Sequence, residues 1–165
     1  MGSADRHSGR GGHPIDLIEQ MAVANDWDVD RTSDDELTLL IAGTWTDYQL
    51  TLNWRDDLET LHAACAFDFR VPEYRLNEMY RLIAQINEQM WIGHFDLWAS
   101  DGLVMFRHSL LLNGAVCTPR QSDALLKAAL EACERYYKAF QFVVWAGKES
   151  REALVSAMFE TEGQA

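Results

Sequence analysis

Two neighbouring stretches of this sequence alternate apolar and polar residues with a period of two, and that alternation restricts the fold more than any other feature. From Asp47 to Trp54, the residues Tyr48, Leu50, Leu52 and Trp54 fall on one side, while Asp47, Gln49, Thr51 and Asn53 fall on the other. Successive side chains of an extended strand point to opposite faces, so the pattern specifies one dry face and one wet face. Arg55-Asp56-Asp57 makes a polar turn, after which Leu61, Ala63, Cys65, Phe67 and Phe69 continue the dry face. Strands of this kind, joined by a short turn, predict an antiparallel sheet covered on a single side.

The rest of the chain supplies the cover. Pro14 suits the first position of a helix, and Ile15, Ile18, Met21 and Val23 give an apolar stripe to about Asn25. An acidic connection follows from Asp26 to Glu36, with a short strand possible around Trp27 to Asp30, and then a strand in which Leu37, Leu39 and Ile41 alternate with Thr38, blurred by Leu40. Pro72 opens a helix to about Met90, along which Leu76, Met79, Tyr80, Ile83, Ile86 and Met90 recur at three- and four-residue steps, and Gly93 stops it. A second hairpin runs from Phe95 to Ala99 and from Leu103 to Leu112, around Asp101-Gly102, a favoured two-residue turn.

Thr118-Pro119-Arg120-Gln121 reads as a capping box with proline at the first helical position. The helix it starts carries Leu126, Leu130, Cys133, Tyr137, Phe140 and Val144 and, if unbroken to Trp145, is roughly 40 Å long. Its end is apolar nearly all round, so it must be buried in its own domain or against another chain. Gly147 ends it, and Glu149 to Phe159 gives a short final helix. The order α-β-β-β-α-β-β-α-α, without βαβ alternation, argues an α+β fold in which helices pack against one twisted antiparallel sheet. Residues 1–12 read as a flexible tail and 13–165 as a single domain.

Charge narrows the range of partners. The chain of 165 residues carries a net charge of −12 and has no run of Lys and Arg, which disfavours nucleic acid and anionic membrane. No apolar run approaches the ~20 residues of a membrane span, and Met1 to Gly12 lack the apolar region of a secretory signal. The three cysteines, Cys65, Cys117 and Cys133, form no C-x-x-C pair and fit free thiols in a reducing compartment. These features together imply a soluble cytoplasmic protein.

Few residues suggest chemistry. Asp26-x-Asp28-x-Asp30 begins like a calcium loop, but Arg31 and Leu37 occupy the positions that need Gly and Glu, leaving a solvated acidic turn. His94 and Asp96 fall on one face of a strand and could ligate a metal, yet no third or fourth ligand is evident. His62 and His108 also fall in strands, at distances the sequence does not fix. Ser109 and Cys117 lack the context of a nucleophile, and no phosphate-binding glycine loop or cofactor motif is present. Of the tryptophans, most are expected in the core, with one or two lining an exposed groove.

Ile86 to Trp98 (INEQMWIGHFDLW), Asp101 to Leu112 (DGLVMFRHSLLL) and Ala132 to Leu154 (ACERYYKAFQFVVWAGKESREAL) resemble the YbjN family of bacterial sensory-transduction regulators, most of all its alphaproteobacterial branch. HPIDLIEQMAVANDWDVDR and LHAACAFDFRVPE fit as well, so the resemblance spans His13 to Ala165. It implies an α+β fold similar to type III secretion chaperones, which are acidic dimers that bind extended segments of partners, and it brings no catalytic residues. The expectation is a non-enzymatic protein-interaction module, a homodimer, with His94, Asp96, Trp98, Phe142 and Trp145 at its binding surfaces and no cofactor. The competing expectation is a small-molecule or metal sensor, or a weak enzyme, using His94 and Asp96.

Overall fold

The computed structural model describes residues 12–162. The expected tail therefore falls, but for Gly12, outside the described residues. Helix α1 spans Pro14–Ala24, with the Nδ1 of His13 accepting from the Ile15 amide at its start. Four strands follow: β1 (Asp28–Ser33), β2 (Glu36–Ala42), β3 (Asp47–Arg55) and β4 (Thr60–Arg70). A short 3-10 turn over Glu73–Arg75 leads into α2 (Leu76–Asn87), then come β5 (His94–Trp98), β6 (Leu103–Leu111), α3 (Pro119–Val144) and α4 (Ser150–Glu162).

The strands form one six-stranded antiparallel sheet in the order β1-β2-β3-β4-β6-β5. Helices α1, α2 and α3 pack on the face carrying Leu39, Leu50, Cys65 and Phe106, and α4 packs on α2 and α3. The alternation in β3 and β4 has the expected consequence, because Leu50, Leu52, Leu61, Ala63 and Cys65 are all fully buried. Removing a side chain such as Leu50 or Phe140 from water contributes about 1.5–3 kcal/mol each. Rings from three elements meet in this layer, with Phe67 centred 5.9 Å from Phe95 and 5.2 Å from Phe140.

Helix α3 holds the layer together. Its 26 residues extend about 39 Å at 1.5 Å per residue. The capping box is complete: Gln121 N donates to the Thr118 hydroxyl at 3.1 Å and Thr118 N to Gln121 Oε1 at 2.9 Å. At the other end the Arg75 guanidinium donates to the carbonyl of Val143 (2.9 Å), one of the acceptors a helix end leaves open, and to that of Lys148 (2.6 Å) in the following loop. Much of the apolar end of α3 is covered within the chain: Phe140, Val143 and Val144 are buried, Phe140 against Phe67 and Phe95, and α4 packs along the helix, while Trp145 stays exposed. The three cysteines are free and buried.

Several sequence expectations need adjustment. The short strand possible in the acidic connection is present and longer: β1 runs to Ser33 and pairs with β2, so four strands rather than three precede α2. Its exposed Asp28 and Asp30 carry no apolar signal because they lie on the wet face of an edge strand. Helix α2 starts at Leu76 and ends at Asn87, and Tyr80 faces solvent while Leu82 is buried. The second hairpin has a four-residue loop, Ala99 to Gly102, because Trp98 pairs with Leu103. Gly102 adopts φ +64° and its carbonyl accepts from Val71 N at 2.7 Å; a β-carbon there would stand 2.6 Å from the Val71 oxygen. That contact with the end of β4, not the local turn preference, sets the loop.

Candidate functional site

With all helices on one face, the other face of the sheet carries no helix among the described residues. The register sorts its side chains into rows that cross the strands. One row runs Asp30, Thr38, Thr51, Ala64, Arg107, His94; the next runs Glu36, Asn53, His62, Ser109. Asp96 stands one step along β5, opposite Met105. The period of two that places His94 beside Asp96 on this face also puts Trp98 there, 47% exposed.

These residues form a connected polar line over three strands. His94 Nε2 lies 3.2 Å from Asp96 Oδ2, and Arg107 Nη1 donates to the same oxygen at 3.0 Å. Arg107 Nε donates to His62 Nε2 at 3.2 Å, which requires an unprotonated Nε2. Burial first, then the Arg107 guanidinium, His94 and His108, hold the His62 pKa below its ordinary 6.5. His108, on the helix-covered side, is also lowered, by burial and then by His94. The line is held by its own internal bonds and lies on an open surface, with the Asp96 side chain 32% and Arg107 37% exposed.

The expected site residues do not form one site. His94, Asp96 and Trp98 share the open face of β5. Phe142 and Trp145 lie at the end of α3, on the helix side: Lys148 Nζ sits 4.5 Å over the Phe142 ring, and Trp145, 62% exposed, stands edge-on to Phe69. Ser109 is opposite His62 in register, but no hydrogen bond joins the hydroxyl to the ring. Among the described residues no group of three or more His, Cys, Asp and Glu is placed to hold a metal. A shallow groove of about 490 Å³ opens on the same face, lined by Glu36, Asn53, Trp54, His62, Arg107 and Ser109.

Sequence reasoning singled out neither Arg107 nor the exposure of Trp91. The hairpin register would have supplied the first, because pairing Trp98 with Leu103 brings His94 opposite Arg107. The tryptophans also depart from expectation. None is fully buried: Trp27, Trp45 and Trp54 pack half-buried against the core, while Trp91 is 100% exposed.

The edge at β5 is partly closed. Both backbone groups of Phe95 bond the Asn87 side chain, the amide donating at 2.8 Å and the carbonyl accepting at 3.0 Å. The outward-facing peptide at the middle of β5 is therefore already occupied, a device that discourages further strand pairing there.

Comparison with known proteins adds a family. Residues 14–142 match the model of the YbjN family, described as "Putative bacterial sensory transduction regulator". The chain belongs to the YbjN family. The match includes the whole sheet and most of α3, and α4 lies beyond it. A solved structure described as "Crystal structure of YbjN, a putative transcription regulator from E. coli" superposes with a TM-score of 0.54 at 13% identity, covering 73% of this chain and 85% of that chain. At that identity the likeness concerns the YbjN fold alone. No curated protein matches the sequence. Among the described residues no helix is long and apolar enough to cross a membrane.

Proposed function

We propose that this YbjN-family protein is a non-enzymatic, cytoplasmic protein-interaction module, a regulator or chaperone-like binder of a partner protein, working as a homodimer. One observation carries this: among the described residues a six-stranded sheet keeps one face free of helices, and His94, Asp96, Arg107 and His62 on that face are tied to each other. A charge pattern fixed by mutual hydrogen bonds orders a surface for recognition. Exposed Trp98 and Trp145 supply the aromatic groups that protein interfaces favour.

Crosslinking followed by affinity purification and mass spectrometry from the native cell tests the binding role. A reproducible partner, diminished by Trp98→Ala or Asp96→Asn in folded protein, is the expected result. Its absence from repeated experiments counts against the proposal. Size-exclusion chromatography with light scattering tests the dimer, and a monomer at micromolar concentration removes that part.

The groove beside His62 and Arg107 supports a second reading, a small-molecule sensor, because it gathers polar side chains (His62, Arg107, Ser109 and Asn53) beside Trp54. Thermal-shift screening with metabolites separates the two: a ligand that binds the native state raises Tm.

A further inference from the structure

The sheet has a second place where its edge changes, and there it is left open. Strand β6 is longer than β5: its pairing with β5 stops at Arg107, opposite His94, while the strand continues to Leu111. In an antiparallel ladder, alternate residues turn their amide and carbonyl to one neighbour and then to the other. Because Phe95 turns its groups away from β6 to Asn87, the bonded pairs between β5 and β6 are those of His94, Asp96 and Trp98 with Arg107, Met105 and Leu103. The odd-numbered residues of β6 therefore face the β5 side. The even-numbered ones face β4, as the Leu112 amide shows by bonding to the Glu59 carbonyl at 2.9 Å. Ser109 and Leu111 thus direct their amides and carbonyls to an edge where no described residue pairs with them.

Apolar side chains surround this opening. The chain enters β5 through Trp91 and Ile92, 100% and 53% exposed, beside the point where β6 loses its partner. Gly93 folds that loop onto β6, with φ +71° and a position where a β-carbon would lie 2.4 Å from the Phe106 ring. Leu111 is itself 72% exposed. An edge with unpaired donors and acceptors, flanked by a fully exposed Trp, has the features of a strand-accepting site.

The geometry points to an extended segment of a partner protein that adds to the sheet at Ser109 to Leu111, apolar at alternate positions and basic between them. The edge itself calls for an extended strand. Charge selects its composition: Glu59 adjoins the end of β6, its carbonyl accepting from Leu112 N and its carboxylate from Asn113, Arg107 is already held by Asp96, and the chain carries −12 overall. A second copy would bring like charge to the same place, whereas a basic segment gains from it. The assignment rests on the interaction-module reading and gives it a location and a ligand chemistry.

The test uses the full chain and a fluorescein-labelled synthetic peptide of about ten residues, a long natural strand, alternating Val and Lys. Anisotropy should report binding that weakens at least about tenfold when Glu replaces each Lys, or when alternate peptide nitrogens are methylated. Leu111→Pro should abolish it while keeping the fold, because the lost N–H faces the open edge and not β4. The methylated peptide keeps the test valid should that variant misfold. Three results overturn the proposal: no binding of the Val/Lys peptide, binding indifferent to methylation and to Leu111→Pro, or a dimer of the chain that Leu111→Pro dissolves. Native partners whose capture survives Leu111→Pro leave the interaction role standing and refute only this surface. If no partner is captured at all, the role itself fails.

Discussion

Gly43 occupies the turn between β2 and β3, where three groups converge on the position a side chain would take. A β-carbon there would lie 2.3 Å from Glu134 Oε1, 2.3 Å from Tyr48 Cε2 and 2.8 Å from the Thr46 carbonyl. The Glu134 oxygen is not free to retreat, since it accepts from Thr44 N at 2.9 Å, and the Tyr48 ring is buried. Gly43→Ala is expected to cost about 1–3 kcal/mol by overpacking, read from the urea midpoint; an unchanged midpoint contradicts the close approach. His62 gives a pH dependence of definite sign. Its folded pKa lies below the ordinary 6.5, so the unfolded chain binds more protons as the pH drops. The stabilising contribution is complete above about 6.5 and is lost as acid carries the pH through and below that value. The drop in Tm between pH 7 and about 5.5, measured before most carboxylates titrate, should be smaller in His62→Gln than in the wild type. His108, shifted the same way, leaves part of the drop in place. An identical slope in both proteins would falsify the Arg107–His62 arrangement.

Helix α4 is the element whose attachment depends most on single contacts. Its fully buried side chains are the small ones, Ala153 and Ala157, with Leu154 and Met158 only partly covered. Its start is held by α2: Glu78 Oε1 accepts from Ser150 N, and Gln85 Nε2 donates to Ser150 Oγ at 3.0 Å. The bond from the Ser150 amide, then the Arg81 side chain, keeps the Glu78 pKa below 4.5, so this support is present above that value and lost in stronger acid. Glu78→Ala is expected to cost about 1–2 kcal/mol. It should also speed proteolysis at residues 146–149, and cleavage at the wild-type rate would show that α4 does not need the latch. How far such elements were legible depended on periodicity. β3, β4 and α3 have long apolar repeats and a capping box, and their type and faces follow from sequence. β1 shows in the sequence only as a possible short strand around Trp27 to Asp30, outside the element order, because Asp28, Asp30 and Arg31 interrupt any apolar signal on an edge strand. At the candidate site, the His94 and Asp96 pair needed only the period of a strand. Arg107 needed the hairpin register, which the contact of Gly102 with Val71 decides, and the Asn87 plug needed a tertiary approach between α2 and β5. Trp91 carries no mark in sequence that separates an exposed ring from a packed one.

At the scale of the whole molecule, two electrostatic effects oppose one another, and salt separates them. The net charge of −12 spreads repulsion over the entire surface, at separations comparable to the size of the domain. Against it stand short ion pairs, among them Arg31 with Asp16 (2.6 Å) and Glu19 (2.8 Å), Arg55 with Asp57 (2.6 Å) and Lys127 with Asp123 (2.7 Å). Most of these side chains are substantially exposed, and solvent screening leaves pairs of that kind little net contribution to stability. Raising ionic strength from about 0.01 to 0.1 M shortens the screening length from about 30 to about 10 Å. That change removes most of the repulsion between distant carboxylates, yet partners within 3 Å remain well inside the screening length. The long-range term should therefore give way first, and Tm should rise by a few degrees over this interval, which corresponds to about 1 kcal/mol for a domain of this size. Calorimetry in sodium chloride at pH 7 decides the sign. A Tm that falls with added salt would mean that the local pairs, and the charged line from His94 to His62 with them, outweigh the surplus of acid.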